Sequence, residues 1–410
     1  QFYSKDGSPA KPIRLMVGLL ILKQLENLSD ESIVIQWKRN PYYQYFCGYN
    51  EMQLCEPCHS TQLVKFRQRI GKEGMELIFK VSVQLHGNKA EEKEVLIDTT
   101  VQEKNITYPT DGKLAIKMIH HLHKIGKKEQ LNLRRTFVKE IKEHRINLRF
   151  FKHPKKIKKA RSSIKRLRTI VGILIRDISR NLKQDKLSNY TNTFDLFDKV
   201  RNQQIKDSNK VLSLHESHVY AITKGKDHKK YEYGTKASIV ATKDSGVIVG
   251  VASHSKNEHD SKTLEAALIS ANKTRTTAIK EVICDRGYRG IKEVLGTIIS
   301  IPGTTLKKDT EYQKQQKRDK FKRRAAIEPI IGHLKSDFRL ARNYLKGFIG
   351  DQINLLLAAT AWNLKKWMNI YFFAIISGEM KLLLESIKQI KLYNQIFLQL
   401  IVIKLIFTHP

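Results

Sequence analysis

An α/β fold with a mixed-sheet core is predicted, with a helical N-terminal domain and a basic helical insertion between the first and second strands. Three features of the 410-residue sequence predict it. Two short apolar runs close on an aspartate, Glu94 to Asp98 (EVLID) and Lys280 to Asp285 (KEVICD), and read as buried strands. The stretches before and between them carry apolar residues at helical spacing. The middle stretch is dense in cations, which sets it apart from the core. The expected division is 1–90 as the helical domain, 91–111 with 213–370 as the core, 112–212 as the insertion and 371–410 as an extension without assigned role.

Composition narrows the partners. Lys and Arg total 75 against 40 Asp and Glu, a formal net charge of +35. That excess makes a phosphate polyanion the expected partner, nucleic acid or an anionic membrane surface. With 41% apolar residues the chain can bury real cores, which excludes wholesale disorder. Four cysteines exclude a disulfide scaffold and fit a reducing, cytoplasmic compartment. The most apolar stretch, Ile396 to Phe407, is interrupted by Lys404. It falls short of the ~20 residues of a spanning helix, so no membrane partner is expected.

Along the chain, Pro12 suits a first-turn position and Ile13, Met16, Leu19, Leu20 and Leu22 follow at helical spacing. Ser29 and Asp30 cap a second helix through Trp37. A third runs from Ser60 to just before Gly71, with Lys65, Arg67 and Arg69 among apolar residues. A basic last helix fits a helix-turn-helix-like DNA reader and equally fits a plain bundle with solvated cations. Residues 112–212 read as helical and basic; Lys152 to Arg168 holds nine Lys or Arg and no acid, a candidate phosphate-binding surface. Lys236 to Thr242 and Gly246 to Ser253 are strands about a turn at Lys243 to Gly246. Asp260 to Asn272 is a helix, Lys280 to Cys284 a strand, Tyr288 to Leu295 a short helix and Thr297 to Ile301 a strand. Lys307 to Arg324 reads as a basic linker, Ala325 to Asp337 as a helix bearing Glu328, and Ile353 to Met368 as an amphipathic helix.

Without the insertion, this order is three strands, a helix, a strand, a helix, a strand and a helix. It matches the ribonuclease-H-like fold, whose first and fourth strands lie side by side beneath the last helix. Asp98, Asp285 and Glu328 would then converge. Three carboxylates supply the hard oxygen ligands that suit Mg²⁺ or Mn²⁺. Two such ions can clamp the attacking and leaving oxygens of a phosphodiester.

The blocks LIDTTVQEKNITYPTDGKLA (Leu96 to Ala115), CDRGYRG (Cys284 to Gly290) and RRAAIEPIIGHLKSDFRL (Arg323 to Leu340) occur in that order. They resemble the signature blocks of the DDE transposases of bacterial insertion sequences, in the branch named for insertion sequence 5. The likeness extends from about Lys11 to about Trp367. It implies that Asp98, Asp285 and Glu328 are catalytic and bind two divalent ions, Mg²⁺ or Mn²⁺. It also implies a Y-x2-R-x3-E-x6-K pattern in which Arg324 and Lys335 hold phosphates. Phe321 stands at the tyrosine position, keeping a stacking face and losing a hydroxyl.

Arg286 and Arg289 are further candidate DNA contacts, as are Lys65, Arg67 and Arg69; a local structural role is the alternative for the first two. Gly287 and Gly290 allow a tight turn, Thr99 and Thr100 support the strand end, and Gln102 and Glu103 have no assigned role. His333 is expected to pack. Cys55 to His59 (CEPCH) satisfies the C-x-x-C-H haem pattern, and Cys47 could complete a zinc site. Against both readings there is no secretory signal and no second ligand pair, and the resemblance implies an ordinary turn here before the basic helix. His120, His121 and His123 are read as solvated or DNA-facing.

The resemblance implies a transposase that binds the terminal inverted repeats of its element on double-stranded DNA, cleaves there and joins the ends to target DNA. Work on two ends implies a homodimer on DNA. Another nuclease of the same fold, or a DNA-binding protein without catalysis, remain alternatives.

Overall fold

The structure is a computed structural model that describes residues 10–204, 206–226, 229–301, 303 and 306–376. In chain order the elements are α1 (Ile13–Leu25), α2 (Asp30–Arg39), α3 (Pro41–Phe46), α4 (Ser60–Gln84) and β1 (Glu94–Lys104). Then come α5 (Asp111–Lys128), α6 (Val138–Asn147), α7 (Ile157–Asn181), α8 (Gln184–Leu187), α9 (Thr191–Asn202), β2 (Tyr220–Lys226) and β3 (Lys229–Thr242). They are followed by β4 (Ile248–His254), α10 (Asp260–Thr274), β5 (Glu281–Ile283), β6 (Glu293–Val294), β7 (Thr297–Ser300), α11 (Glu311–Ala325), α12 (Ile327–Ser336), β8 (Arg342–Asn343) and α13 (Gly347–Ile376). Two compact units result, one from residues up to 103 with those from 235 onward, the other from 104–234.

The first unit holds a mixed sheet. β3 is flanked by β4 and β1, and the order continues from β1 through β5 and β7 to β6. β3 and β4 are antiparallel, from Lys236 opposite His254 to Val240 opposite Gly250. β1, β5 and β7 are parallel neighbours, with Leu96 opposite Ile283 and Ile283 opposite Ser300. This mixed α/β architecture is compatible with the ribonuclease-H-like core expected from the order of elements.

Residues 1–90 do not form a compact unit of their own. Every residue of α1 from Leu15 to Gln24 is buried. A helix that is apolar all round has no solvent face and must sit inside a larger body. Here α1 and α4 pack against α13, and one core joins Leu15, Trp37 and Phe79 to Val249 and Ala358. The expected stop before Gly71 is a kink instead. Gly71 takes φ +61°, open to glycine without strain, and helix resumes through Gln84.

Other boundaries also shift. β1 does not end at Asp98 but runs to Lys104, because Val101 and Gln102 are themselves buried. The basic stretch 307–324 is mainly helix, not linker: Thr310 and Gln313 form a reciprocal capping box at the start of α11. The short helix expected over 288–295 is a single 3-10 turn followed by β6. Most of the extension 371–410 lies outside the described residues.

The second unit is a helical body of α5 to α9 with the hairpin of β2 and the first half of β3. Its separate core includes Leu122, Leu167, Leu174 and Phe197. Residues 104–234 thus extend beyond the expected insertion of 112–212, because β2 pairs antiparallel with β3, Tyr220 opposite Gly234. Along α7, Lys158, Lys159, Arg161 and Lys165 are exposed, while Arg166 and Arg168 engage Glu140 and Asp111.

A fully buried asparagine ties α13 to the sheet. Asn363 Oδ1 accepts from the Ile248 amide at 2.9 Å, and Nδ2 donates to the Ile248 carbonyl at 2.8 Å. The side chain thus serves the outer backbone of β4 as another strand would. Asn363→Leu keeps similar volume and orphans both groups; we expect a loss of roughly 1–3 kcal/mol per orphaned group in urea denaturation. His86 Nε2 donates to the Asn363 carbonyl at 3.0 Å, and burial pushes its pKa down from 6.5 to about 4. The folded state therefore resists a proton that the unfolded state accepts. This contribution is present above pH 6.5 and is lost as pH falls toward 4. Over that window His86→Gln should lose less stability than the parent chain, measured by the same denaturation.

Candidate active site

β1 and β5 set two acids level with each other. Leu96 lies opposite Ile283 in the parallel pair. Asp98 and Asp285 each follow two residues later, Asp98 still within β1 and Asp285 just past the end of β5, so both acids leave the same end of this parallel pair. Asp98 Oδ1 accepts from the Thr99 amide at 2.7 Å. β5 ends at Ile283, and Asp285 turns the chain by accepting from the Gly287 amide at 2.8 Å. Gly290, at φ +96°, completes the turn in a conformation that favours glycine.

Packing brings in the third acid. Leu96, Ile283 and Ile327 form a small buried cluster. Ile327 opens α12, so its neighbour Glu328 stands in the first turn of that helix, above the two strand ends. The same two residues that set the register therefore also seat the helix.

All three carboxylates meet one cation. Arg324, near the end of α11, places its guanidinium 3.0 Å from Glu328 Oε1, 3.8 Å from Asp98 Oδ2 and 3.9 Å from Asp285 Oδ2. Its side chain is 17% exposed and that of Asp98 18%, so the attraction to Asp98 is less screened than that to Glu328, which is 58% exposed. The negative field is felt next door: burial, then the charge of Asp285, pushes the Cys284 thiol up to about 12. The donor set has the hard oxygens that a divalent metal ion requires. Among the described residues, however, no group of three or more acids, histidines or cysteines stands in metal-binding geometry. The carboxylates are gathered instead on the guanidinium.

The other predicted positions divide. Arg286 and Arg289 are exposed on either side of the Asp285 turn. Lys335 is half-buried, seven residues beyond Glu328 and so about two turns along the same side of α12. Lys65 and Arg69 are exposed on α4. Arg67 corrects the expectation of a DNA contact: it is 5% exposed and grips Asp30 through both nitrogens, one at 2.9 Å. Lys23 joins at 2.7 Å. Burial alone would raise the Asp30 carboxyl; Arg67 and Lys23 outweigh it and hold the group below its ordinary value. The Arg67 side chain is committed to joining α4 to α2. Nothing at the sequence level distinguished it from its exposed neighbours except its place between apolar Phe66 and Ile70 on the turn of the helix. The side chain of Phe321 lies outside the described residues.

Several unassigned residues gain roles. Fully buried Gln102 donates to the Asp351 carbonyl at 3.1 Å and accepts from Asn354 at 2.9 Å, tying β1 to α13. His333 pairs with Asp337 at 2.8 Å. Cys47 and Cys58 are core residues with thiols pushed by burial to about 12 and about 11, while Cys55 is exposed, so the C-x-x-C-H pattern converges on nothing. Sequence reasoning missed Asp260, at the first position of α10, which accepts hydrogen bonds from Thr99 and Lys236 beside the triad. An aspartate there looks like an ordinary helix-start residue, and no sequence signal separates it from one.

Comparison with known proteins bears on the family. Residues 207–364 match the family described as Transposase DDE domain, and residues 1–69 match Transposase domain (DUF772). The chain is similar to the uncharacterized protein ORF8 in the nfe locus of Rhizobium meliloti, with 38% identity over 157 residues, covering 37% of this chain and 76% of the relative. No solved structure matches the chain. No described helix is long and apolar enough to cross a membrane. Two separate stretches of the chain thus match transposase domain families, one of them the DDE domain, and together they support a DDE transposase family for it.

Proposed function

We propose that this chain is an active transposase of the insertion sequence 5 branch. It binds the terminal inverted repeats of its element as a homodimer on double-stranded DNA, in the cytoplasm, cleaves there and transfers the freed ends to target DNA. The observation that carries the reading is the convergence of Asp98, Asp285 and Glu328 on the Arg324 guanidinium.

Asp98, Asp285 and Glu328 are the residues that would hold two divalent ions, Mg²⁺ or Mn²⁺. When bound, such ions activate the attacking oxygen and stabilise the leaving one. In the first step a water oxygen bonds to phosphorus, the phosphorus–O3′ bond breaks, and the element end keeps a 3′-hydroxyl. In the second, that hydroxyl attacks a target phosphodiester and the target O3′ departs. Direct exchange needs no covalent link to a serine or tyrosine.

The chain's own residues do the positioning. Three adjacent carboxylates repel each other and DNA unless a cation offsets them. Arg324 supplies that cation in the DNA-free protein. As an anionic phosphate and metal ions enter, its fork can turn from carboxylate to phosphate, both of which it binds in bidentate fashion. Arg286 and Arg289 beside Asp285, and Lys335 beyond Glu328, are proposed to steady the flanking phosphates. Lys65 and Arg69 are proposed to contact the repeats from the 1–90 segment, and the exposed cations of the 112–212 segment add non-specific attraction. No role is proposed for 371–410.

Linear DNA carrying the gene with its native flanks tests the reading. With Mg²⁺ or Mn²⁺ we expect breaks at inverted repeats that vanish with Asp98→Ala, Asp285→Ala or Glu328→Ala. Salt-sensitive binding without cutting would overturn it in favour of a DNA-binding protein. Cutting without joining would favour another nuclease. A second prediction concerns Arg324: because the guanidinium competes with metal for the same oxygens, Arg324→Gln should tighten Mn²⁺ binding to DNA-free protein while slowing cleavage. Isothermal titration and a cleavage time course read the two effects separately.

A further inference from the structure

A fourth carboxylate stands beside the three. Asp260 follows His259, which caps α10 by accepting from the Ser261 amide. Asp260 Oδ1 accepts from Thr99 Oγ1 at 2.9 Å and from Lys236 Nζ at 2.9 Å. Lys236 also donates to the Glu258 carbonyl at 2.6 Å, so its position is set by the backbone leading into the helix.

Thr99 links this group to the reaction centre. Its hydroxyl donates to Asp260, and its amide donates to Asp98 Oδ1 at 2.7 Å. One residue of β1 therefore addresses two carboxylates. A second link passes through Gly287. A Cβ there would lie 3.1 Å from Asp260 Oδ2 and 3.0 Å from Asp285 Oδ1. A side chain there would crowd both carboxylates, which glycine avoids. Tyr288, fully buried beside them, has its phenol raised by burial and by the charges of Asp260, Asp98 and Asp285, so it senses all three groups.

A purely structural ion pair would need only the Asp260 oxygen that Lys236 engages. The second oxygen borders Gly287, as does Asp285 Oδ1, and like charges gathered around one residue are costly unless they share a cation. We propose that Asp260 is a positioning residue for divalent-cation binding at this centre, fixing Asp98 through Thr99 and bordering Gly287 together with Asp285. The proposal rests on the reading of Asp98, Asp285 and Glu328 as cation ligands. Lys236 offsets the added charge at Asp260 Oδ1.

The test is Mn²⁺ titration of the full DNA-free chain, followed by electron paramagnetic resonance, with metal-free thermal melting alongside. Partners that orient a metal ligand typically contribute ten- to hundredfold in affinity, so Asp260→Asn should weaken Mn²⁺ binding by roughly that factor. Thr99→Val, which removes only the hydroxyl, should weaken it in the same direction, and Thr99→Ser should restore it. If Asp260→Asn fails to fold because Lys236 is left without its acid, the Lys236→Gln, Asp260→Asn double variant takes its place. Mn²⁺ affinity equal to the parent in Asp260→Asn and Thr99→Val, whatever their melting points, would overturn the role of Asp260 and leave the three-carboxylate reading standing. A parent chain that binds no Mn²⁺ would overturn both.

Discussion

The register between β1 and β5 is the constraint on which the rest depends. Parallel pairing of Leu96 with Ile283 brings the same ends of the two strands together, and Asp98 and Asp285 each follow the paired residue by two. A slip of one residue would reverse the faces of one strand and send its acid to the other side of the sheet. The register is guarded by burial, since Leu96 and Ile283 are 1% and 0% exposed and share Ile327 as a neighbour. Apolar contact thus specifies where charge is placed. The same contact brings the start of α12, and with it Glu328, over the strand ends.

Charge balance is the second layer. A chain of net charge +35 is built to approach a polyanion. Its reaction centre has the opposite sign and would repel the same partner if left uncompensated. Arg324 and Lys236 answer this locally, each within hydrogen-bond or ion-pair reach of acids at the centre. Arginine suits the central place because its fork addresses several oxygens at once and stays charged at any working pH. The overall excess of cations then steers DNA, while the local excess of acids prepares the place where cations are wanted.

The helices of the first unit show how burial overrides local appearance. α1 is apolar on every side, so it belongs inside, and α13 and α4 close around it. The cost is a pair of buried cations, Lys23 and Arg67, both answered by Asp30. Burial drives the Lys23 ammonium down to about 8 even with that partner. Removing one member of such a group leaves another charge buried and unpaired, which is more damaging than the modest net value of the intact set.

Much of this was legible in one dimension. The short apolar runs, the aspartates that follow them and the spacing of the three signature blocks pointed to the chemistry proposed for it, because each is local: a strand needs few residues, and a motif is read without knowing its neighbours. Asp98, Asp285 and Glu328 were named on that basis. Boundaries were less legible. α11 looked like linker because the nine cations of 307–324 hid a capped helix, and α4 looked finished at Gly71 because a kink and a stop share the same residue. What only the tertiary structure decided is which charged groups face which. Arg67 and Arg69 are two residues apart and equally basic, yet one is buried on Asp30 and the other is exposed, since a helix turns by about 100° per residue and only packing chooses the inner side. Asp260 became part of the centre for the same reason. It lies 161 residues from Thr99 along the chain and one hydrogen bond from it in space, and no sequence pattern encodes a contact made by folding.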